Sequence, residues 1–294
     1  MDSIQISRPL RKPSSWGMLF KGKIGEDSVI LKVMHADPRD KFDYHEASFD
    51  EGCVKGKIES EQECTEIAST LGIGPAYYDG GIWKSSNMKR IPEKYRKDLQ
   101  KIVDQDTTTC AGYIIVRDIS DSFAFNYLRG RLPRAKCNDE CKESLCMELT
   151  FHLMVLHMNS ILHCDAQFEN IRMSKDTTET FIIDFGEARR LNGRTVSMMD
   201  EIKVLEGNQP NYKFNSANSL PHYFKAKYND KKWLKKFKRK YTNAKFLEKR
   251  FPPVEGLTDV NTETFKVWLE YEIRSMEEDL SELFSGLKIR GLKF

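Results

Sequence analysis

The sequence predicts an α+β fold in two lobes, a small strand-rich half followed by a larger helical half, with a cleft between them. Short apolar runs of strand character sit near Trp16 to Val33 and again at Ala76 to Tyr78 and Tyr113 to Val116. After Asp118 the apolar residues recur instead at helical spacing, most clearly from Cys141 to Met158. A length of 294 residues is enough to bury a core in each half. The change of character sets the expected boundary, with residues 1–118 as the first lobe and 119–294 as the second.

Met18-Leu19-Phe20 and Val29 to Val33 read as strands joined by the polar turn Lys23-Ile24-Gly25-Glu26-Asp27. Lys57 to Leu71 then reads as a helix, with Cys64, Ile67, Ala68 and Leu71 on one face, stopped by Gly72-Ile73-Gly74-Pro75. A charged insertion from Pro92 to Asp106 separates the last two strands and is expected as a surface helix or loop. In the second half Leu145, Leu149, Leu153 and Leu156 form a buried seam along the Cys141 helix. Later helices are marked by Trp233, Phe237 and Tyr241, then by Phe265, Trp268, Leu269 and Ile273.

Apolar content of 39% and charged content of 31% describe a soluble globular chain, and no apolar run approaches the length of a membrane span. The opening Met1-Asp2-Ser3-Ile4-Gln5 is no basic-then-apolar leader, so a cytoplasmic or nuclear protein is expected. The seven cysteines are odd in number and irregularly spaced, which suits reduced thiols. Cys137, Cys141 and Cys146 cluster, but no fourth ligand completes a zinc set, and a loop leading into a helix is expected there. Net charge is +3, with acidic residues dense from Asp37 to Glu66 and basic ones crowded from Lys225 to Arg250.

Ile161-Leu162-His163-Cys164-Asp165-Ala166-Gln167-Phe168-Glu169-Asn170 places an Asp and an Asn five residues apart on a loop. Phe181-Ile182-Ile183-Asp184-Phe185-Gly186 then puts a second Asp at the end of a short apolar strand. One carboxylate (Asp165) can orient an attacking hydroxyl, while an amide oxygen (Asn170) and the other carboxylate (Asp184) can hold Mg²⁺ against phosphates. Upstream, Lys32 lies on the strand Val29-Ile30-Leu31-Lys32, ahead of the helix. That order of groups is what phosphoryl transfer from ATP needs. His163 is expected to brace the loop and Phe185 to pack.

These motifs resemble the protein-kinase-like superfamily over residues 10 to 206. The resemblance implies ATP and Mg²⁺ as cofactors, Lys32 on the α- and β-phosphates, and a helix glutamate paired with it. Glu59, Glu61, Glu63 and Glu66 are the candidates. Glu63 is favoured because Ile67 and Leu71 continue its face, with Glu61 next. Ile30 would lie over the adenine, and Val116, Arg117, Asp118 and Ile119 would flank the nucleotide. The segment Arg11 to Leu19 aligns with the Gly-rich loop and keeps Gly17, but Lys12 and Ser14 replace its first two glycines. That loop either grips ATP less tightly or uses side chains such as Lys12 or Ser14.

Three departures are closer to the atypical branch, which includes RIO-type kinases, small kinases of tRNA-modification complexes and choline or aminoglycoside phosphotransferases. Leu71 to Pro75 resembles the helix exit common there, and Gln167 stands where typical Ser/Thr kinases carry a lysine. No Ala-Pro-Glu segment follows Asp184-Phe185-Gly186; Met199 to Glu206 arrives after a short link. Compact kinases of this kind also occur in large DNA viruses. The leading expectation is an atypical serine/threonine-protein kinase acting on a protein. A small-molecule hydroxyl kinase and a non-catalytic kinase-like binding module are the alternatives. The stretch Lys231 to Tyr241 puts Trp233, Phe237 and Tyr241 on one helical stripe with lysines around it. It reads either as a solvated basic face or as a docking surface for an acidic partner, nucleic acid or anionic membrane.

Overall fold

The structure, a computed structural model, describes residues 4–10, 17–35, 53–103, 111–120, 123–124, 139–173, 179–191, 194–208 and 213–289. Lys12 and Ser14 lie outside these residues, as does most of the acidic stretch after Asp37. The chain divides into two compact units, Met1–Asp121 and Ser122–Phe294; the boundary expected from the sequence was residue 118.

The first unit is built on a five-stranded antiparallel sheet of β1 (Ile4–Pro9), β2 (Gly17–Ile24), β3 (Asp27–His35), β4 (Tyr77–Ile82) and β5 (Ala111–Arg117). Their order is β1-β2-β3-β5-β4, with helix α1 (Cys53–Thr70) inserted between β3 and β4. Val29, Leu31 and Val33 alternate onto one face of the sheet; Ile30, Lys32 and Met34 alternate onto the other. On the first face they join Phe20, Trp83, Ile91, Leu99 and Ile115 in a core cluster. Leu99 belongs to α2 (Glu93–Val103), so the charged insertion is a helix that roofs the sheet, buried through a few apolar residues. The edge strand β1 was not anticipated; Ile4 alone is buried on it, too little for a period-two signal.

Helix α1 packs on the other face, setting its Ile58 beside Met34 and Ile114. Gly112 permits that approach, since a Cβ there would stand 2.3 Å from Ile58 Cγ2. The helix ends where Gly and Pro were expected to stop it. Gly72 takes a φ of 64°, its N–H bonds Ser69 O, and the N–H of Ile73 bonds Ala68 O, the paired bonds of a Schellman cap.

In the second unit, β6 (Phe123–Ala124) precedes the long helix α3 (Asp139–Met158), whose Leu149, Leu153 and Leu156 are fully buried. Four short strands follow, β7 (Ile161–Leu162), β8 (Ile171–Met173), β9 (Thr180–Ile182) and β10 (Arg189–Arg190). β10 pairs with β7, and β6-β8-β9 form a small sheet. Among the described residues five helices complete the unit: α4 (Met198–Asn208), α5 (Leu220–Lys227), α6 (Lys231–Tyr241), α7 (Ala244–Arg250) and α8 (Thr262–Ile289). Trp233, Phe237 and Tyr241 are buried as the stripe predicted, and Asp230 caps α6 by accepting from the N–H groups of Lys232 and Trp233. Strand-rich and helical units in this order are the α+β organisation expected from the sequence.

Cys64, Cys146 and Cys164 are free and buried. Cys141 departs from the expectation of thiols throughout: it is disulfide-bonded. An odd cysteine count is as compatible with one bridge as with none. Among the described residues no cluster of three or more His, Cys, Asp or Glu side chains gathers as a metal site, the Cys137–Cys146 region included so far as it is described. No helix is long and apolar enough to cross a membrane among the described residues.

Candidate active site

Lys32 lies on β3, opposite Leu19 of β2 and Ile114 of β5. Its Nζ donates to Glu61 Oε1 at 2.6 Å. This corrects the expectation that Glu63 is the partner. The face of α1 that meets the sheet runs through Ile58, Glu61, Thr65 and Ala68, all buried, whereas Glu63, two residues after Glu61, stands about 200° around the helix from it and is exposed. The apolar residues four and eight positions after Glu63 lie at the margin of the stripe, so they were a misleading guide. Ile30 faces Val116 across the β3–β5 pair, an apolar surface next to the lysine in register.

Gly17 begins β2 with a φ of 143°, and a Cβ there would lie 2.2 Å from Val33 O. No L side chain fits that approach, which accounts for the glycine. At the end of β5 the N–H groups of Arg117 and Asp118 bond Ala76 O and Ser28 O, both at 2.8 Å. The Asp118 carboxylate accepts from Ser120 N at 2.7 Å and pairs with Lys21 Nζ at 3.1 Å. Burial works against its charge, yet the bonds from Ser120 and Lys21 prevail and hold it below the usual carboxylate range. The backbone of Val116, Arg117 and Asp118 is thus committed to the sheet and its turn, with Ile119 following.

In the second unit the loop from Ser160 to Asn170 brings the other predicted residues together. Ser160, Cys164 and Asp184 all take positive φ, at 59°, 60° and 63°. Non-glycine residues adopt that conformation at a cost, and three of them flanking one loop mark a backbone held in place by its surroundings. Asn170 Nδ2 donates to Asp165 Oδ2 at 2.7 Å and to Asp165 O at 3.0 Å, and Gln167 Nε2 donates to Asp165 Oδ1 at 2.5 Å. His163 is fully buried, its Nε2 at 3.0 Å from Ile183 O and its ring 4.9 Å from Phe185, the bracing role expected. Ile183 N bonds Asn170 O at 2.9 Å and so ties the two motifs.

The Asp165 carboxyl is held above the usual carboxylate range. Burial is the main cause; His163, Gln167 and Asn170 oppose it, and the nearby Asp184 charge adds to it. Asn170 spends its amide donors on Asp165, which leaves its carbonyl oxygen to act as an acceptor or ligand. That oxygen and the Asp184 carboxylate are hard donors suited to Mg²⁺, and a divalent cation would offset the charge that Asp184 imposes on Asp165. The residues present fit the metal.

Glu201 was missed. This buried residue of α4 accepts from the N–H of His163 through Oε1 and from the N–H of Cys164 through Oε2 at 2.9 Å. The signal was available: Glu201 sits among Met198, Met199, Ile202 and Leu205, an apolar stripe in which a carboxylate needs internal donors. A second support comes from the segment before α5. Phe168 N bonds Asn218 O, Leu220 N bonds Ala166 O, and Gln167 bridges to Ser219.

No family model matches the chain. Over 86 residues it is 29% identical to the serine/threonine-protein kinase ppk25 of Schizosaccharomyces pombe, a stretch covering 29% of this chain and 20% of that protein. The chain thus matches only a fifth of that relative's length. Among solved structures it is similar to the Cydia pomonella granulovirus kinase PK-1, with 15% identity, a TM-score of 0.39, and coverage of 65% of this chain and 56% of that one.

Proposed function

We propose that this chain is an ATP- and Mg²⁺-dependent kinase of the atypical kind, transferring a phosphoryl group to Ser or Thr of a protein. The observation that carries the reading is the Asp165 carboxylate. It is aimed by one donor on each oxygen, Gln167 and Asn170, and stands within the field of Asp184. A carboxylate has about four acceptor positions, so two bonds leave room for an acceptor hydroxyl. Asp165 orients that hydroxyl and takes up its proton as the oxygen attacks. Asn170 and Asp184 would hold Mg²⁺, which when bound neutralises phosphate charge. Lys32, steadied by Glu61, serves the α- and β-phosphates.

Absence of an Ala-Pro-Glu segment supports the atypical assignment, since α4 begins at Met198, soon after Asp184. Such a chain is not switched by phosphorylation of an activation loop. The solvent face of α6 carries Lys231, Lys232, Lys235, Lys236, Lys238 and Arg239, all exposed. Only Lys236 has an ion pair there among the described residues, with Glu143 at 3.2 Å. That surface favours an anionic partner, whether an acidic protein, nucleic acid or membrane.

The test is incubation with labelled ATP and Mg²⁺, alone and with generic protein acceptors, beside Asp165→Ala and Asp184→Ala. Label on protein that both substitutions abolish is expected. Transfer only to a small hydroxylated compound would replace the protein acceptor with a small-molecule one. Nucleotide binding with no transfer would make the chain a binding module.

A further inference from the structure

The buried stripe of α8 runs Phe265, Leu269, Glu272, Met276, so a fully buried carboxylate occupies a position where an apolar residue would serve packing alone. Glu272 Oε1 lies 2.7 Å from His157 Nδ1, and Glu272 Oε2 accepts from Met198 N at 2.8 Å. The other ring nitrogen, His157 Nε2, faces Glu201 Oε1 at 3.4 Å. Glu201 in turn holds the N–H groups of His163 and Cys164, immediately before Asp165. A chain of contacts therefore leads from α8 through α3 and α4 to the catalytic loop.

Both ring nitrogens of His157 face carboxylate oxygens, which can only accept, so both must donate and the ring is an imidazolium. The titratable groups packed against it are Glu272 on α8 and Glu201 on α4. Burial opposes its charge, but the Glu272 charge, the hydrogen bonds to Glu201 and Glu272, and the Glu201 charge raise its pKa to about 9. Two carboxylates are thus met by one imidazolium and three backbone N–H groups, those of Met198, His163 and Cys164.

We propose that Glu272 is a positioning residue for phosphoryl transfer: by keeping His157 charged, it fixes the Glu201 carboxylate on the His163 and Cys164 amides and so sets where Asp165 stands. The proposal rests on the reading of Asp165 given above. It makes the C-terminal helix, far along the chain from the motifs, part of the machinery that aims the acceptor.

Glu272→Gln tests it without disturbing shape. The Gln carbonyl oxygen can accept from Met198 N, and its amide can donate to His157 Nδ1 while the neutral ring keeps its proton on Nε2 for Glu201. Only the charge is lost. NMR of the imidazole C–H groups should then show a neutral His157 at pH 7. Amide exchange at His163 and Cys164 should rise about tenfold. With an acceptor in hand, kcat should fall about tenfold while the KM for ATP stays within about twofold.

A neutral His157 with unchanged amide exchange and unchanged kcat overturns the proposal. Amide exchange needs no turnover, so it decides the matter even if the native chain transfers to no acceptor, a result that would count against the kinase reading instead. If the variant does not fold, the native protein suffices. Its kcat must decline as the His157 resonance titrates near pH 9, and a kcat indifferent to that titration overturns the proposal equally.

Discussion

Replacing Glu61 and Glu63 separately by Gln separates a buried ion pair from an exposed side chain. The Lys32–Glu61 contact is 2.6 Å, with the Glu61 side chain 7% exposed and that of Lys32 25% exposed. A hydrogen bond to a charged group contributes about 1.5–3 kcal/mol, and partial exposure of Lys32 places this one toward the lower end. At about 1.4 kcal/mol per factor of ten, loss of the pair should weaken Mg-ATP binding about tenfold if Lys32 must be held to meet the phosphates. Glu63→Gln changes an exposed residue and should alter affinity by less than about twofold, as surface substitutions fall within about 0.5 kcal/mol. Titration of each purified variant with a fluorescent ATP analogue in Mg²⁺ gives the two dissociation constants directly. Equal weakening by both variants, or none by Glu61→Gln, would refute the assignment of Glu61 as the partner and the role given to Lys32.

Gly17→Ala should destabilise the first unit by about 2 kcal/mol or more, because its Cβ would meet Val33 O and its φ is positive; an unchanged urea midpoint would show that β2 shifts freely. His157 has its pKa raised from 6.5 to about 9 while fully buried, so its contribution, on the order of 3 kcal/mol, is present below pH 6.5 and lost as pH rises through about 9. Urea unfolding across that interval should show the decline, and a flat profile would argue against an imidazolium. Asp165 is shifted upward, so it opposes folding as pH rises through its titration, and any hydroxyl-orienting role fades as pH falls through it. Asp184→Asn should move the Asp165 carboxyl titration, followed by ¹³C NMR, to lower pH; no movement would mean that the two carboxylates do not interact. Replacing Lys235, Lys238 and Arg239 by Gln should leave the unfolding midpoint within about 0.5 kcal/mol per site yet abolish retention on a polyanion column. Retention that survives would place any anionic partner elsewhere.

Much of this protein was legible in residue order. Asp165, Asn170 and Asp184 stand on a loop and a strand end as their spacing required, and Gln167 proved to touch the carboxylate it follows. Strands β2, β3 and β5, the stop of α1 at Gly72 and the aromatic stripe of α6 all rest on local rules: a period of two, a period of 3.6, and the freedom of glycine at positive φ. Local rules do not say which face of an element meets which neighbour. Glu61 and Glu63 are equivalent until α1 is laid on the sheet, and Gly112 with Ile58 decides that placement. The roof formed by α2 could not be foreseen either, because its charge count outweighed the few apolar residues that anchor it.

The network of Glu201, His157 and Glu272 was hidden for a further reason. Its bonds span sequence separations of 37 to 115 residues, and a glutamate in a helix reads as solvated unless its burial is known. The identity of the proposed catalytic groups was therefore written in local order. Their aim is a matter of tertiary packing, since only a folded interior makes a buried carboxylate seek particular donors.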